Sequence, residues 1–335
     1  MDALTASRYL AGVQQMLAER GIAPAALLDG TTLTQSQLDD IGGFVSASDQ
    51  DRFLANAIAL GGDPMPGLRL GRRLNISAHG SAGFAGLTAA NARTALEVAV
   101  RFFPLITQLV ALRLEQDRES ICVVVEPQPE LTTRCEQFVI QTLFSSISLM
   151  AGFLLGPLAS GLRLELPGDR DDALLEGLPE LRHGIHFNTS GYRIRLPQSV
   201  LDTPFALADT AAHQLALARC QKELAQLQAR SSLAHRLYQR LLHSDDTLPS
   251  LEQLAADMEM SSRTLHRRLE AEGCRFRDLL NRARMSRAER LLKQGWSITD
   301  VAHTLGYGDS ANFTRAFRRH HGMPPSRFIE PPHRD

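Results

Sequence analysis

The sequence predicts two structural classes in one chain. The first is an α+β amino-terminal domain with helices on an antiparallel sheet, and the second is an all-α carboxy-terminal domain with two helix-turn-helix motifs. Three observations lead to this fold class: an internal repeat between residues 254 and 317, alternating and β-branched segments within residues 111–196, and a change of apolar spacing after residue 217. With 335 residues, 44% of them hydrophobic and 22% charged, the chain is long enough for two domains with buried cores.

The internal repeat covers two short helix pairs, at residues 254–269 and 301–317. Equivalent residues are 47 positions apart in the first half of the repeat and 48 apart in the second half. The pairs are Ala255 with Ala302, Met258 with Leu305, Met260 with Tyr307, Leu265 with Phe313, Arg267 with Arg315 and Leu269 with Phe317. Two helix-turn-helix units in the same register indicate one shared task.

Each unit has the residues that a tight turn between two helices needs. The small Ala255 and Ala302 allow close helix packing, and Gly306 can take a left-handed backbone in the second turn. A side-chain oxygen then caps the following helix. The candidate caps are Ser261 or Ser262 in the first unit and Asp309 or Ser310 in the second.

The outer faces of the second helices carry basic and polar side chains, which suit a DNA major groove because Arg pairs with guanine and Asn with adenine. The candidate DNA-binding residues are Arg263, His266, Arg267, Ser310, Asn312, Thr314, Arg315 and Arg318, with Thr314 and Arg318 or Arg319 nearer the phosphates. Residues 261–322 contain 13 Lys and Arg against 6 Asp and Glu, although the whole chain has a net charge of −1. This local excess of positive charge favours double-stranded DNA as the partner.

These residues resemble the AraC/XylS family of bacterial transcription regulators over about the last 100 positions. Segments 302–307, 313–319 and 322–328 follow the family's Ala-x-x-x-Gly-aromatic turn, its Phe-x-Arg-x-Phe helix and its Gly-x-x-Pro-Ser run. The resemblance implies two recognition helices per subunit in successive major grooves, about 34–36 Å apart. It also implies an activator that contacts RNA polymerase, with a repressor as the alternative. His266 departs from the residue that many relatives carry, which leaves the base preference open.

The amino-terminal elements are predicted from apolar spacing. Helices are expected up to residue 20 and over 48–60, 91–110 and 131–155, and strands over 111–115, 121–125, 162–166, 185–187 and 192–196. The first two strands bracket a hairpin turn at 117–120. The apolar run 138–158 is interrupted by Gln141, Gly152, Gly156 and Pro157, so it is predicted as a buried core helix, with no membrane involved.

Most of residues 1–210 also resemble the arabinose-binding-type sensor and dimerisation domain of one AraC subgroup, which includes the ornithine-utilisation regulators. The matching segments are 79–85, 97–103 and 186–204. The resemblance implies a homodimer and a small-molecule effector, with a weak inclination toward an amino acid or related metabolite. The effector-binding residues stay unknown at this point.

Between the two domains, apolar residues alternate in steps of three and four from Leu217 to Leu241. This spacing fits a helix that pairs with a second subunit, and it fits equally a helix that packs within its own domain. The predicted boundaries are 1–206 for the sensing and dimerisation domain, 207–243 for the connecting helix and 244–332 for the DNA-binding domain. The helix-turn-helix motifs are expected at 252–273 and 299–322, after an acidic break at Asp245-Asp246.

An enzyme is the alternative class, and the sequence argues against it. A serine-nucleophile turn needs Gly where His79 stands, so segment 79–83 is predicted as a glycine-rich turn that opens a helix. His183 and His186 do not share a strand face, and no cofactor motif is present, so neither a metal nor a cofactor is expected. Widely spaced cysteines and the lack of an export signal predict a cytoplasmic protein with reduced thiols. These cysteines are Cys122, Cys135, Cys220 and Cys274.

Overall fold

The computed structural model describes residues 4–329, except 41, 117–118, 129–130, 231–232, 243, 245–247 and 294. The predicted turn residues Asp117 and Arg118, Ser231 of the connecting segment and the acidic pair Asp245-Asp246 therefore lie outside the described residues. The chain divides into two compact units, Met1–Ala225 and Gln226–Asp335.

The first unit combines helices with a mostly antiparallel sheet, as predicted. Its helices are α1 (Ser7–Ala18), α2 (Pro24–Leu27), α3 (Gln35–Asp39), α4 (Ala47–Gly61), α5 (Pro66–Arg73), α6 (Gly80–Leu87), α7 (Ala92–Phe102), α8 (Thr133–Leu155) and α9 (Asp172–Gly177), followed by α10 (Thr210–Arg230), which begins in this unit. Its strands are β1 (Leu4–Ala6), β2 (Phe44–Ser46), β3 (Val110–Gln116), β4 (Ser120–Pro127), β5 (Arg163–Glu165), β6 (Ile185–His186) and β7 (Tyr192–Pro197).

The main sheet has the strand order β3-β4-β7-β5-β6, and a separate ribbon pairs β1 with β2. The predicted hairpin is β3 and β4, with Leu112 opposite Val125. The predicted antiparallel sheet is confirmed with one exception, because β5 and β6 pair in parallel. The chain between them passes through α9 and returns to the same edge, as a parallel connection requires.

Helix α8 packs against α4 and α5, and about half of its residues are buried. The approach of α5 to α8 depends on glycine: a Cβ at Gly67 or at Gly71 would come within 2.6 Å of a backbone oxygen of α8. Segment Thr133–Gly161 is long and apolar enough to cross a membrane by length and composition, but half of its most apolar window is buried inside the protein. That burial agrees with the core helix predicted from the sequence.

The second unit is all α. Its helices are α11 (Leu233–Leu242), α12 (Leu251–Asp257), α13 (Ser262–Ala271), α14 (Phe276–Lys293), α15 (Ile298–Thr304), α16 (Ser310–His321) and α17 (Pro325–Ile329). Two apolar clusters share α14: Leu279 and Ala283 pack with α11, α12 and α13, whereas Ala288 and Leu292 pack with α15 and α16. The helix-turn-helix pairs are thus α12–α13 and α15–α16.

Helix α11 contains the second half of the segment in which the sequence left two interpretations open. Leu237 and Leu241 are buried in the first cluster of the second unit, beside Leu254 and Leu265. The carboxylate of Glu272 accepts hydrogen bonds from the Leu233 and Ala234 amides at 2.9 and 3.0 Å, which ties the start of α11 to the end of α13. In this half, the apolar stripe serves packing within one unit.

Candidate nucleic-acid interface

The turns of the two helix-turn-helix pairs have the same backbone. Glu259 has φ 53° and Gly306 has φ 75°, so the first pair uses a non-glycine residue in the left-handed region at the position equivalent to Gly306. After each of these residues the chain folds back in the same way. The Met260 amide donates to the Ala255 carbonyl at 3.0 Å, and the Tyr307 amide donates to the Ala302 carbonyl at 2.9 Å. The repeat seen in the sequence is therefore a repeat of hydrogen bonds.

Side chains cap both second helices at equivalent positions. Of the candidate caps, the structure selects Ser261, which accepts from the Thr264 amide at 3.1 Å, and Asp309, which accepts from the Asn312 amide at 2.6 Å. Both second helices are anchored by their inner faces, where Leu265 and Phe313 are fully buried. A capped and anchored helix presents its outer face in a fixed orientation.

Three of the candidate DNA-binding residues lie on the outer face of α13. Arg263, His266 and Arg267 are all exposed. The His266 ring lies 3.5 Å from the carboxylate of Glu270, one helical turn away. This face therefore combines two exposed guanidinium groups with a carboxylate at one edge.

The outer face of α16 carries the remaining candidates, and several are already bonded to each other. Asn312 donates from Nδ2 to Asp309 Oδ2 at 2.9 Å, and its carbonyl oxygen accepts a hydrogen bond from Arg315. The Thr314 hydroxyl donates to the Ser310 carbonyl at 2.7 Å, so its hydrogen is used within the helix. Among these candidates Asn312 and Arg315 are exposed, as is Arg318, whereas Ser310 and Thr314 are half-buried.

An aromatic cluster holds the end of α16. The His321 ring lies 4.2 Å from the Phe317 ring and 5.6 Å from the Phe328 ring, and its Nε2 is 3.3 Å from the Glu289 carboxylate. Gly322 then ends the helix with φ 74°. His321 is half-buried, and its ring contacts residues of α16, α14 and α17, so these contacts lie within the second unit.

The first unit contains a cavity of about 200 Å³, which the sequence did not reveal. It lies between the inner face of the sheet and helices α6, α7 and α8, and residues such as Leu96, Leu112, Val123, Ile147 and Ile194 line it. In a sequence such residues are indistinguishable from core residues, so only the fold shows that they surround open space.

Comparison with known families decides the identity. A family model described as the arabinose-binding domain of AraC transcription regulators matches residues 21–205, more than half of the chain. A helix-turn-helix domain model matches residues 254–330. The chain belongs to the AraC family of transcription regulators. The resemblance stated from the sequence is confirmed, and this AraC-family protein is a DNA-binding transcription regulator, not an enzyme.

Relatives of this AraC-family regulator extend over nearly its whole length. It is 30% identical over 329 residues to the ornithine utilization regulator of Pseudomonas aeruginosa, which covers 97% of this chain and 96% of that protein. It is also 30% identical over 272 residues to the HTH-type transcriptional regulator VqsM of Pseudomonas aeruginosa, covering 78% of this chain and 82% of that protein. The crystal structure of the transcriptional regulator CdpR from Pseudomonas aeruginosa aligns with a TM-score of 0.47 at 23% identity, covering 95% of this chain and 96% of that chain.

Proposed function

We propose that this protein is a ligand-responsive activator that reads its operator with the outer faces of α13 and α16. The observation that carries the proposal is the repeated geometry, in which two capped helices with buried inner faces both expose arginine outward. A repressor of the same family is the second candidate. The proposal also includes a homodimer, contact with RNA polymerase and a cytoplasmic location, as the family resemblance implies.

The bonding on α16 supports a division of roles between Arg315 and Asn312. An asparagine that reads adenine uses its amide oxygen as an acceptor and its amide nitrogen as a donor. In this structure both atoms are already bonded, to Arg315 and Asp309. We therefore infer that Arg315 contacts a base and that Asn312 holds the guanidinium in position, with Asp309 holding Asn312. On α13, Arg263 and Arg267 are proposed to read the other groove.

The first experiment replaces the two equivalent arginines, one per helix. Arg267→Ala and Arg315→Ala should each cost roughly 1–3 kcal/mol of specific binding and relax base preference at one position of the operator, because each removes one bidentate contact. Binding would be measured by fluorescence anisotropy against the promoter region of the protein's own gene and against random DNA, at several salt concentrations. Asn312→Ala should weaken binding less than Arg315→Ala.

Arg268→Ala and Arg319→Ala serve as matched controls, since both residues are exposed neighbours of the tested arginines. A phosphate contact at either position should lower affinity for all sequences alike and reduce the salt slope by about one. If Arg315→Ala left affinity and base preference unchanged, α16 would not read DNA and the proposal would fail for the second pair. Equal affinity of the wild-type chain for promoter and random DNA would exclude a sequence-specific regulator altogether.

Activation and repression are separated by a promoter reporter with the chain present and absent. An activator raises transcription from its target promoter when both DNA and effector are bound, whereas a repressor lowers it. Sedimentation of the full chain measures the homodimer directly.

A further inference from the structure

The wall of the cavity in the first unit is almost entirely hydrocarbon. Apart from hydroxyl groups, one histidine and the thioether of Met150, the described residues that line it are aliphatic, aromatic or glycine, and Arg, Lys, Asp and Glu are absent from that lining. Ala99 on α7 is exposed, so the cavity reaches the surface near that helix. Such a site cannot match the charges of a zwitterion, because a buried charge without a partner is strongly unfavourable.

The polar groups in the wall are mostly bonded to each other. Tyr9, His79 and Ser146 form a chain, in which the Tyr9 hydroxyl lies 2.9 Å from His79 Nδ1 and His79 Nε2 lies 2.9 Å from the Ser146 hydroxyl. Burial, assisted by the charge of Arg8, lowers the pKa of His79 to about 4, so the ring is neutral at pH 7 and carries one N–H. The two hydroxyl groups and the one ring N–H supply three hydrogens, but the chain contains two hydrogen bonds. One hydroxyl hydrogen is therefore unused, and the tautomer of His79 decides whether it belongs to Ser146 or to Tyr9.

A second pair of hydroxyl groups in the wall also has one more hydrogen than its hydrogen bond needs. The hydroxyl oxygens of Thr5 and Thr107 are 2.8 Å apart, and Thr107 also accepts from the Leu109 amide at 3.1 Å. One of these two hydroxyl hydrogens is left over. The Thr142 hydroxyl, by contrast, donates to the Phe138 carbonyl at 2.7 Å and has no hydrogen to offer.

We propose that this cavity binds an uncharged, largely hydrocarbon small molecule with one or two hydrogen-bond-accepting oxygens, such as a ketone, an ester or a lactone. The apolar wall would bury the hydrocarbon part, and the one or two spare hydroxyl hydrogens would bond the oxygens. A sugar would leave most of its hydroxyl groups unpaired in this cavity, and an amino acid would leave its charges unpaired. The molecule's role as the effector rests on the proposed ligand-responsive function; its binding to the cavity does not.

Helix α6 links the cavity to α10. Ala82, Gly83 and Gly86 on α6 line the cavity. On the same helix, Ser81 donates to Glu223 at 2.5 Å, and the Ala85 carbonyl accepts from His213 at 2.8 Å. Glu223 and His213 belong to α10, which runs on to Arg230. A ligand that shifts the position of α6 therefore acts directly on the helix that leads out of the first unit.

The test uses the purified full chain and a series of 2-alkanones from 2-heptanone to 2-tridecanone, with binding measured by calorimetry and by thermal shift. Each added methylene should tighten binding about fourfold, equivalent to about 0.8 kcal/mol, until the cavity is full. L-Ornithine and L-arabinose should not bind. If Ser146 holds the spare hydrogen, Ser146→Ala should weaken the binding of every ketone by a common factor of about three to ten. If Tyr9 holds it, Tyr9→Phe should have this effect. In both cases the dependence of affinity on chain length should be unchanged.

Two glycines provide a matched pair of blocking and control variants. A Cβ at Gly86, which lines the cavity, or at Gly152, which is exposed on α8, would meet no atom within 4 Å. Gly86→Phe should abolish ketone binding, and Gly152→Phe should leave it unchanged, while both variants keep the wild-type circular dichroism spectrum.

Several results would overturn the ligand proposal. One is equal ketone binding by wild type and Gly86→Phe, including the case in which Gly86→Phe changes the oligomeric mass but not ketone binding. The others are an affinity that does not depend on chain length, and binding of ornithine or arabinose in place of ketones. Ketone binding that leaves operator affinity and reporter output unchanged would support the site but refute the ligand-responsive function proposed above. The two proposals can thus fail independently.

Discussion

Glu259 occupies a backbone conformation that its side chain disfavours, and the equivalent residue of the second helix pair is a glycine, which suggests the substitution Glu259→Gly. It lies in the left-handed region with φ 53°, where the equivalent turn of the second pair has Gly306. The left-handed region costs a non-glycine residue roughly 1–2 kcal/mol. Glycine avoids that cost but loses roughly 0.5–1 kcal/mol more backbone entropy on folding. Because the Glu259 side chain is exposed, we expect Glu259→Gly to stabilise the second unit by about 0.5–1 kcal/mol.

Urea unfolding followed by tryptophan fluorescence measures this change in the full chain. Trp296 is the single tryptophan of the sequence and lies in the second unit, between α14 and α15, with 44% of its surface exposed. A gain of about 0.5–1 kcal/mol raises the midpoint by about 0.3–0.6 M urea at an m-value of roughly 1.5–2 kcal/mol/M. Glu270→Gly is the control, because Glu270 lies in the right-handed helix α13, where glycine should destabilise by about 1 kcal/mol. A lower midpoint for Glu259→Gly would refute the reasoning, since the left-handed turn would then carry no cost for glutamate.

Two further predictions concern the first unit. Gly71→Ala should destabilise it by roughly 1–3 kcal/mol in thermal unfolding, because the new methyl group would lie 2.6 Å from the Thr142 carbonyl oxygen, whereas Gly152→Ala, with no atom within 4 Å, should be neutral or stabilising. Equal melting temperatures for the two variants would contradict the close approach of α5 to α8. The pKa of His79 falls on folding from its ordinary 6.5 to about 4, so the unfolded chain binds this proton first and stability is lost as pH decreases from 6.5 toward 4. Between pH 7 and pH 4.5 the free energy of unfolding of the wild type should decrease by about 2–3 kcal/mol more than that of His79→Gln. Equal decreases would show that the fold does not hold His79 neutral.

The elements that the sequence predicted well are those whose signal is local or repeated. The apolar face of α1 (Tyr9, Leu10, Val13, Met16 and Leu17) is buried as its spacing predicts. The helix-turn-helix pairs were predictable because two copies in one chain reinforce each other. Glu259 carries no turn signature of its own, and its left-handed backbone could be inferred solely from its alignment with Gly306.

The features that the sequence missed depend on contacts between distant segments. The parallel pairing of β5 with β6 joins two very short strands whose partners no local pattern specifies. Steps of three and four from Leu217 to Leu241 describe any helix with one buried stripe, and in α11 that stripe faces its own unit. The cavity was missed because Leu96 or Ile194 has the same sequence signal whether it contacts another side chain or open space.

Helix α14 explains how one unit can hold two helix-turn-helix pairs in register. Its 18 residues span about 27 Å, and its two halves are buried in different apolar clusters, through Leu279 and Ala283 on one side and Ala288 and Leu292 on the other. A helix fixed at both halves acts as a rigid spacer, because bending it would break packing in one cluster or the other. The turns at Glu259 and Gly306 then fix the second helix of each pair against its cluster. The spacing of the outer faces of α13 and α16 is therefore set by backbone hydrogen bonds and by one continuous helix, and in the proposed binding mode the side chains on those faces determine which bases are read.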